Sequence, residues 1–289
     1  MQFVVFILFY PLLWLVSIMP FRLLYLFSDG IYVIVYHLIG YRKKIVRQNI
    51  GLALPLLSDK ERLVIEKKFF HHLCDIFLEM IKTITISEEE ISKRYQLTNL
   101  DFYLDMEKKQ KSIALLCAHY ASYEWAVSMN KYATFEGYGI YKKLSNSHFD
   151  KLVKDIRNRF KATLITTRET IPTIQKNFST GHLGTYGFAS DQSPQLSKAF
   201  HWHSFMGIEV PVHTGAEMLA KRFDMNVIFL RTKKVKRGYY EATFELLSDD
   251  VKSVPNYDIT DEFLKRVEKQ IYEAPQYYLW THKRWKHRR

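Results

Sequence analysis

The sequence predicts an α/β fold: a mixed sheet flanked by helices, preceded by an N-terminal membrane-anchoring helix. Three observations carry this reading. Residues 3–19, FVVFILFYPLLWLVSIM, contain no charge. Residues 59–82 repeat apolar side chains at helical spacing (Phe69, Phe70, Leu73, Ile76, Phe77, Met80). From residue 112 onward, short apolar runs alternate with helical patterns, as strands do when helices pack between them. The division expected is an anchor over residues 1–20, a helical membrane-proximal cover over 21–110, and an α/β core with a basic tail over 111–289. The anchor and cover are appendages of one domain.

Taken in order, the anchor comes first. At about 1.5 Å per residue, 3–19 is close to the shortest helix that spans a bilayer. A cleaved signal peptide would need Lys or Arg before the apolar run and a small-residue site after it. Only Met1 and Gln2 precede it, and Pro20-Phe21-Arg22 follow. Arg22, Arg42, Lys43, Lys44 and Arg47 place the following chain on the cytoplasmic side. Residues 31–40 are too short to span and carry His37, so they lie in the interface or against the domain. Ser58 or Asp59 caps the helix at 59–82. His71 and His72 are adjacent and cannot share one helix face, so they read as surface or packing residues. Strands are expected at 113–118, 137–141, 162–166, 183–189 and 226–231, with 238–247 as a hairpin partner. Helices are expected at 122–132, 148–160, 169–178, 214–223 and 258–273.

Composition narrows the partners. The formal net charge is +12, from 42 Lys and Arg against 30 Asp and Glu. Such an excess suits an anionic partner: nucleic acid, membrane surface or phosphorylated substrate. No helix-turn-helix, zinc or RNP-type signature accompanies it, so no nucleic acid is expected. Cys74 and Cys117 lie far apart in apolar contexts, and neither a metal knuckle nor a disulfide framework is indicated. No HExxH motif occurs, which argues against a metal hydrolase using His71, His72 or His119.

The chemistry concentrates where an apolar run stops. In SIALLCAHYASYEW (residues 112–125), His119 follows a strand and Glu124 opens the next helix. Ligands of α/β sheets sit beyond the carboxyl ends of strands. A carboxylate in a first helical turn is favoured by the helix dipole. It can fix the imidazole tautomer and leave the other nitrogen free to take a hydroxyl proton. A His and an acid five apart also occur often by chance, so the strand–His–helix context matters more than the spacing. Residues 142–161 are basic. Most of their lysines read as a solvated face, while Arg157 and Arg159 suit phosphate because a guanidinium grips oxygens in pairs. GFASDQSP ends a strand in Asp191-Gln192, either a loop cap or a site pair. Gly207 and Gly215 flank a loop that opens a helix at Thr214. Glycine there lets backbone N–H groups approach a substrate oxygen.

Together these motifs resemble the late acyltransferases that add secondary fatty chains to lipid A precursors. The resemblance rests on His119-Tyr-Ala-Ser-Tyr-Glu124 with Trp125, on Arg157 and Arg159 in IRNRF, and on Asp191-Gln192-Ser193-Pro194. It also rests on the stretch from Phe205 to Gly215 and on the tail YYLWTHKRWKHRR. Two departures stand out: Ala121-Ser122-Tyr123 where the family often has Gly-Asn-Trp, and Lys161 where a glycine commonly follows the arginines. The resemblance implies an acyltransferase-like fold and an O-acyltransferase of the inner membrane, with its catalytic domain on the cytoplasmic side. It implies an acyl thioester donor (acyl carrier protein or acyl-CoA), a glycolipid acceptor, no metal and no bound cofactor. His119 would be the general base and Glu124 its orienting partner. Arg157, Arg159, Asp191, Gln192, Gly207, Thr214 and Gly215 would bind substrate. The alternatives are another membrane lipid as acceptor, or an inactive membrane-associated scaffold of the same fold. The tail, with Trp280 and Trp285 among basic residues, reads as a contact with anionic lipid or an acidic carrier protein.

Overall fold

The computed structural model describes residues 2–289. The chain up to Arg94 holds five α-helices: α1 (Gln2–Ile18), α2 (Phe21–Tyr32), α3 (Lys43–Ala53), α4 (Asp59–Lys82) and α5 (Glu88–Arg94). α2 continues without a break into a π-helical segment, Val33–Ile39. The anchor therefore differs from expectation. The apolar residues at 31–40 are not a separate short piece but the second half of a 19-residue helix, Phe21–Ile39, long and apolar enough to cross a membrane. α1 is shorter and is held at both ends. The Gln2 side chain meets the Ser147 N–H, and Lys82 and Thr85 donate to the Ser17 carbonyl at 2.6 Å each. Leu8, Leu12, Leu26 and Leu38 stay exposed on these two helices.

α4 starts where Ser58 predicts. Its side chain and that of Glu61 form a reciprocal capping box. Farther along α4, Asp75 is buried and binds Arg237, which also reaches Asp29 on α2. This charged knot ties the helical cover to the sheet.

β1 (Tyr95–Leu97) and α6 (Leu100–Lys108) lead into β2 (Ile113–Cys117), then a 3-10 segment, Tyr123–Lys131, where an α-helix was expected. β3 (Glu136–Tyr141), α7 (Ser147–Asn158), β4 (Ala162–Thr166), α8 (Thr170–Ser179) and β5 (Gly184–Ala189) follow. An unexpected hairpin comes next, β6 (His201–Phe205) and β7 (Ile208–Val212). Then come α9 (Gly215–Phe223), β8 (Asn226–Lys236), β9 (Tyr239–Ser248) and α10 (Asp258–Glu273). The large sheet runs β1-β9-β8-β2-β5-β3-β4. Its strands pair in parallel except for the expected β8–β9 hairpin. The fold is thus α/β, with a mixed, mostly parallel sheet flanked by helices. Leu115, Ile228 and Phe229, on its central strands, are buried in the core.

Candidate active site

β2 and β5 are parallel neighbours, and Cys117 pairs with Ala189 at their ends. Two residues farther on, the chains leave the sheet side by side, at His119 and Asp191. This register brings together groups that are 72 residues apart. The His119 Nδ1 lies 2.7 Å from Asp191 Oδ1, and the same oxygen accepts the His119 backbone N–H at 3.1 Å. A carboxylate on Nδ1 keeps the proton there and leaves Nε2 as the free base. Burial pulls the imidazole down, but the charge and hydrogen bond of Asp191 outweigh it, and His119 ends above its ordinary pKa. Burial likewise pushes Asp191 up, and His119 more than reverses this, so the carboxyl lies below its usual range.

The carboxylate beside His119 is therefore not the expected one. Glu124 faces Arg157 instead. Arg157 binds both the Glu124 carboxylate and, at 2.9 Å, its backbone carbonyl. The 3-10 segment that carries Glu124 starts at Tyr123, two residues after Ala121 turns left-handed. Arg159 is spent on structure: it donates to the carbonyls of Thr83, Ile84 and Ile86 beyond α4. Gly207 is a turn residue. Met206 and Gly207 both have positive φ (54° and 75°), the two-residue hairpin turn that matches strand twist. Thr214 and Gly215 open α9 as expected, but Thr214 makes no capping bond. Among the described residues, these three and Gln192 do not line the cavity beside His119.

That cavity, about 540 Å³, runs from His119, Glu124 and Arg157 over one face of the sheet. Its floor is paved with small residues. Across the strands, Leu115, Gly187, Gly139 and Leu164 stand in one paired row, and Thr185, Gly137 and Ala162 in the next. Side chains two apart share a strand face, so these rows present hydrogens and methyls where bulk would close the space. A Cβ at Gly137 would collide with Asn130, and one at Gly139 with Leu164. An apolar slot with a base at its mouth suits a long acyl chain.

The match to known proteins agrees with this arrangement. Residues 2–287 match the family described as bacterial lipid A biosynthesis acyltransferase. The chain belongs to that family. It is also 23% identical over 278 residues to the lipid A biosynthesis lauroyltransferase of Escherichia coli (strain K12), spanning 96% of this chain and 89% of that protein. The protein is an acyltransferase of lipid A biosynthesis, and its family implies an acyl donor and a glycolipid acceptor.

The tail of this acyltransferase is the largest departure from expectation. Trp280, Arg284 and Trp285 are buried, not offered to lipid. Trp280 and Trp285 stack on each other, and Trp285 on Phe205. The segment runs beside the His119 loop as a strap: Leu279 N–H donates to the His119 carbonyl and Ala121 N–H to that of Tyr277. Tyr278 and His282 flank Asp191. Burial first, then Asp191, pushes the Tyr278 hydroxyl far up, so it stays protonated. Burial drives His282 down to about 4, so it is neutral and accepts the Ser193 N–H through Nε2. No local motif signals this strap, because its partners lie about 160 residues upstream and 90 residues away at Ser193.

Proposed function

We propose that this enzyme transfers a fatty acyl chain from an acyl thioester, with acyl carrier protein as donor, to a hydroxyl of a lipid A precursor. The observation that carries this is His119, held by Asp191, at the mouth of the glycine-floored cavity. The acyl tail lies along the sheet face with its carbonyl beside His119. Nε2 takes the proton of the acceptor hydroxyl as that oxygen attacks the thioester carbon. The tetrahedral intermediate then collapses, the carbon–sulfur bond breaks, and the imidazolium returns the proton to the leaving thiolate. Arg157, steadied by Glu124, supplies positive charge near the developing oxyanion or the glycolipid phosphate. The exposed apolar faces of α1 and of Phe21–Ile39 meet the inner membrane, with the catalytic domain on its cytoplasmic side, where Arg42, Lys43 and Lys44 follow the second helix.

Mass spectrometry of lipid A tests this. Removing the gene should delete one acyl mass, and wild type, but not His119→Ala, should restore it. A complete lipid A in the deleted strain would overturn the choice of acceptor.

The floor also sets chain length. A Cβ at Gly187 would meet its nearest neighbour, the Tyr138 carbonyl, at an ordinary 3.6 Å, so a larger side chain fits the strand and fills the slot. Gly187→Val should lower the mass of the transferred chain while transfer continues. An unchanged chain at wild-type turnover would place the acyl tail elsewhere.

A further inference from the structure

A second cluster of ligating groups lies on the β6–β7 hairpin, among residues that do not line the catalytic cavity. His201 and His203 are two apart on β6, so both imidazoles leave the same face. Asp261, in the first turn of α10, meets both. His201 Nε2 lies 2.8 Å and His203 Nδ1 3.2 Å from the same oxygen, Asp261 Oδ1. The three donor atoms lie within 4.8 Å of one another.

From this convergence we infer that His201, His203 and Asp261 form a binding site for a divalent transition metal of the zinc type. Zinc bonds of about 2.0–2.2 Å put neighbouring ligand atoms about 3.3–3.5 Å apart, so the Asp261 oxygen must back away from the imidazoles, now 2.8 and 3.2 Å off, while the imidazoles stay near each other. Two imidazoles and one carboxylate suit zinc-like ions and not magnesium or calcium, which take oxygen. The side chains are 19–22% exposed, which gives an ion a way in and leaves a position for solvent. His201 is held flat against Tyr257, ring centroids 4.4 Å apart and planes 9° apart, a support that fixes ligand orientation. Lys265 and Arg284 nearby oppose a cation, and the Asp261 carboxylate is what offsets them.

The ion fastens the hairpin to α10. Met206 in its turn already donates to Glu268 on the same helix. The next strand gives the Pro211 carbonyl to Arg284 at 3.1 Å, so the hairpin also backs the strap behind Asp191.

The test uses full-length protein in detergent, purified with a tag free of histidine and stripped with chelator. Co²⁺ is titrated in and followed by its visible absorption, then displaced by Zn²⁺. One equivalent should bind, with bands of a four- or five-coordinate ion, and Zn²⁺ should raise the melting temperature. His201→Gln/His203→Gln should lose both effects while melting like the stripped wild type. If that double variant does not fold, Asp261→Asn provides the same comparison. Equal binding by wild type and variant, or no stoichiometric binding by wild type, would overturn the site and leave a hydrogen-bonded triad.

Discussion

His119→Ala is expected to lower acyl transfer by about 10²–10⁴-fold, the range a positioned general base contributes. The substitution removes the only imidazole that lines the cavity among the described residues and leaves the cavity itself in place. It also leaves Asp191, 1% exposed, with the backbone N–H of residue 119 but no imidazole. A buried charge that loses its partner is destabilising, so turnover must be measured per folded molecule, below the variant's own melting temperature. Near-normal turnover would remove His119 from the chemistry. The His119–Asp191 pair also makes stability depend on pH from both sides. His119 is raised, so its contribution is complete below about 6.5 and is lost as pH rises through its higher folded value. Asp191 is lowered, so its contribution is complete above about 3.9 and is lost as pH falls through its lower folded value. Between those limits the pair stabilises the loop that carries the base.

The sheet was legible because each strand is a short apolar run bounded by a break in period. IALLC, ATLIT and NVIFL could be read one at a time. The His119–Asp191 pair was not legible in that way. His119 and its neighbour Glu124 are close in sequence, and that proximity suggested a partnership. The actual partnership depends on β5 lying next to β2 with Cys117 opposite Ala189, a fact of register that no local window contains. Asp191 was visible as a polar residue ending a strand, and its role was not. The tail misled for a related reason. Lys283, Lys286, Arg288 and Arg289 advertise a surface segment, yet Trp280 just before them and Trp285 among them complete the core with their rings. Arg159 shows the same limit. Its guanidinium suits phosphate, but three carbonyls left free past the end of α4 claim it first. Residues 31–40 looked too short to span when counted apart from Ser28, Asp29 and Gly30 just before them. The helix runs through all three, with Ser28 bonded to Asp75 and Asp29 paired with Arg237.

Asp191→Asn separates the two candidate orienting residues and carries the second large effect. The amide is the same size as the carboxylate, so the loop can keep its shape. The neutral amide removes the charge that stabilises the imidazolium, and wherever its nitrogen rather than its oxygen faces Nδ1 it also favours the tautomer with the proton on Nε2, the wrong one for a base. Turnover should fall about 10²–10⁴-fold, as loss of the equivalent carboxylate does in a serine-protease triad. The pH profile should move as well. A general base works only when neutral, so activity falls on the acid side of the His119 pKa. Asp191 is what lifts that pKa against burial. Without the charge the residual acid limb should shift to lower pH. Glu124→Gln should leave the acid limb where it is, because Glu124 binds Arg157 and not His119. Its loss should appear in how the enzyme handles anionic charge on the substrate or in the transition state. A Glu124→Gln profile that shifts, beside an Asp191→Asn profile that does not, would return the orienting role to Glu124. It would also mean that the imidazole turns about its Cβ–Cγ bond when substrate enters.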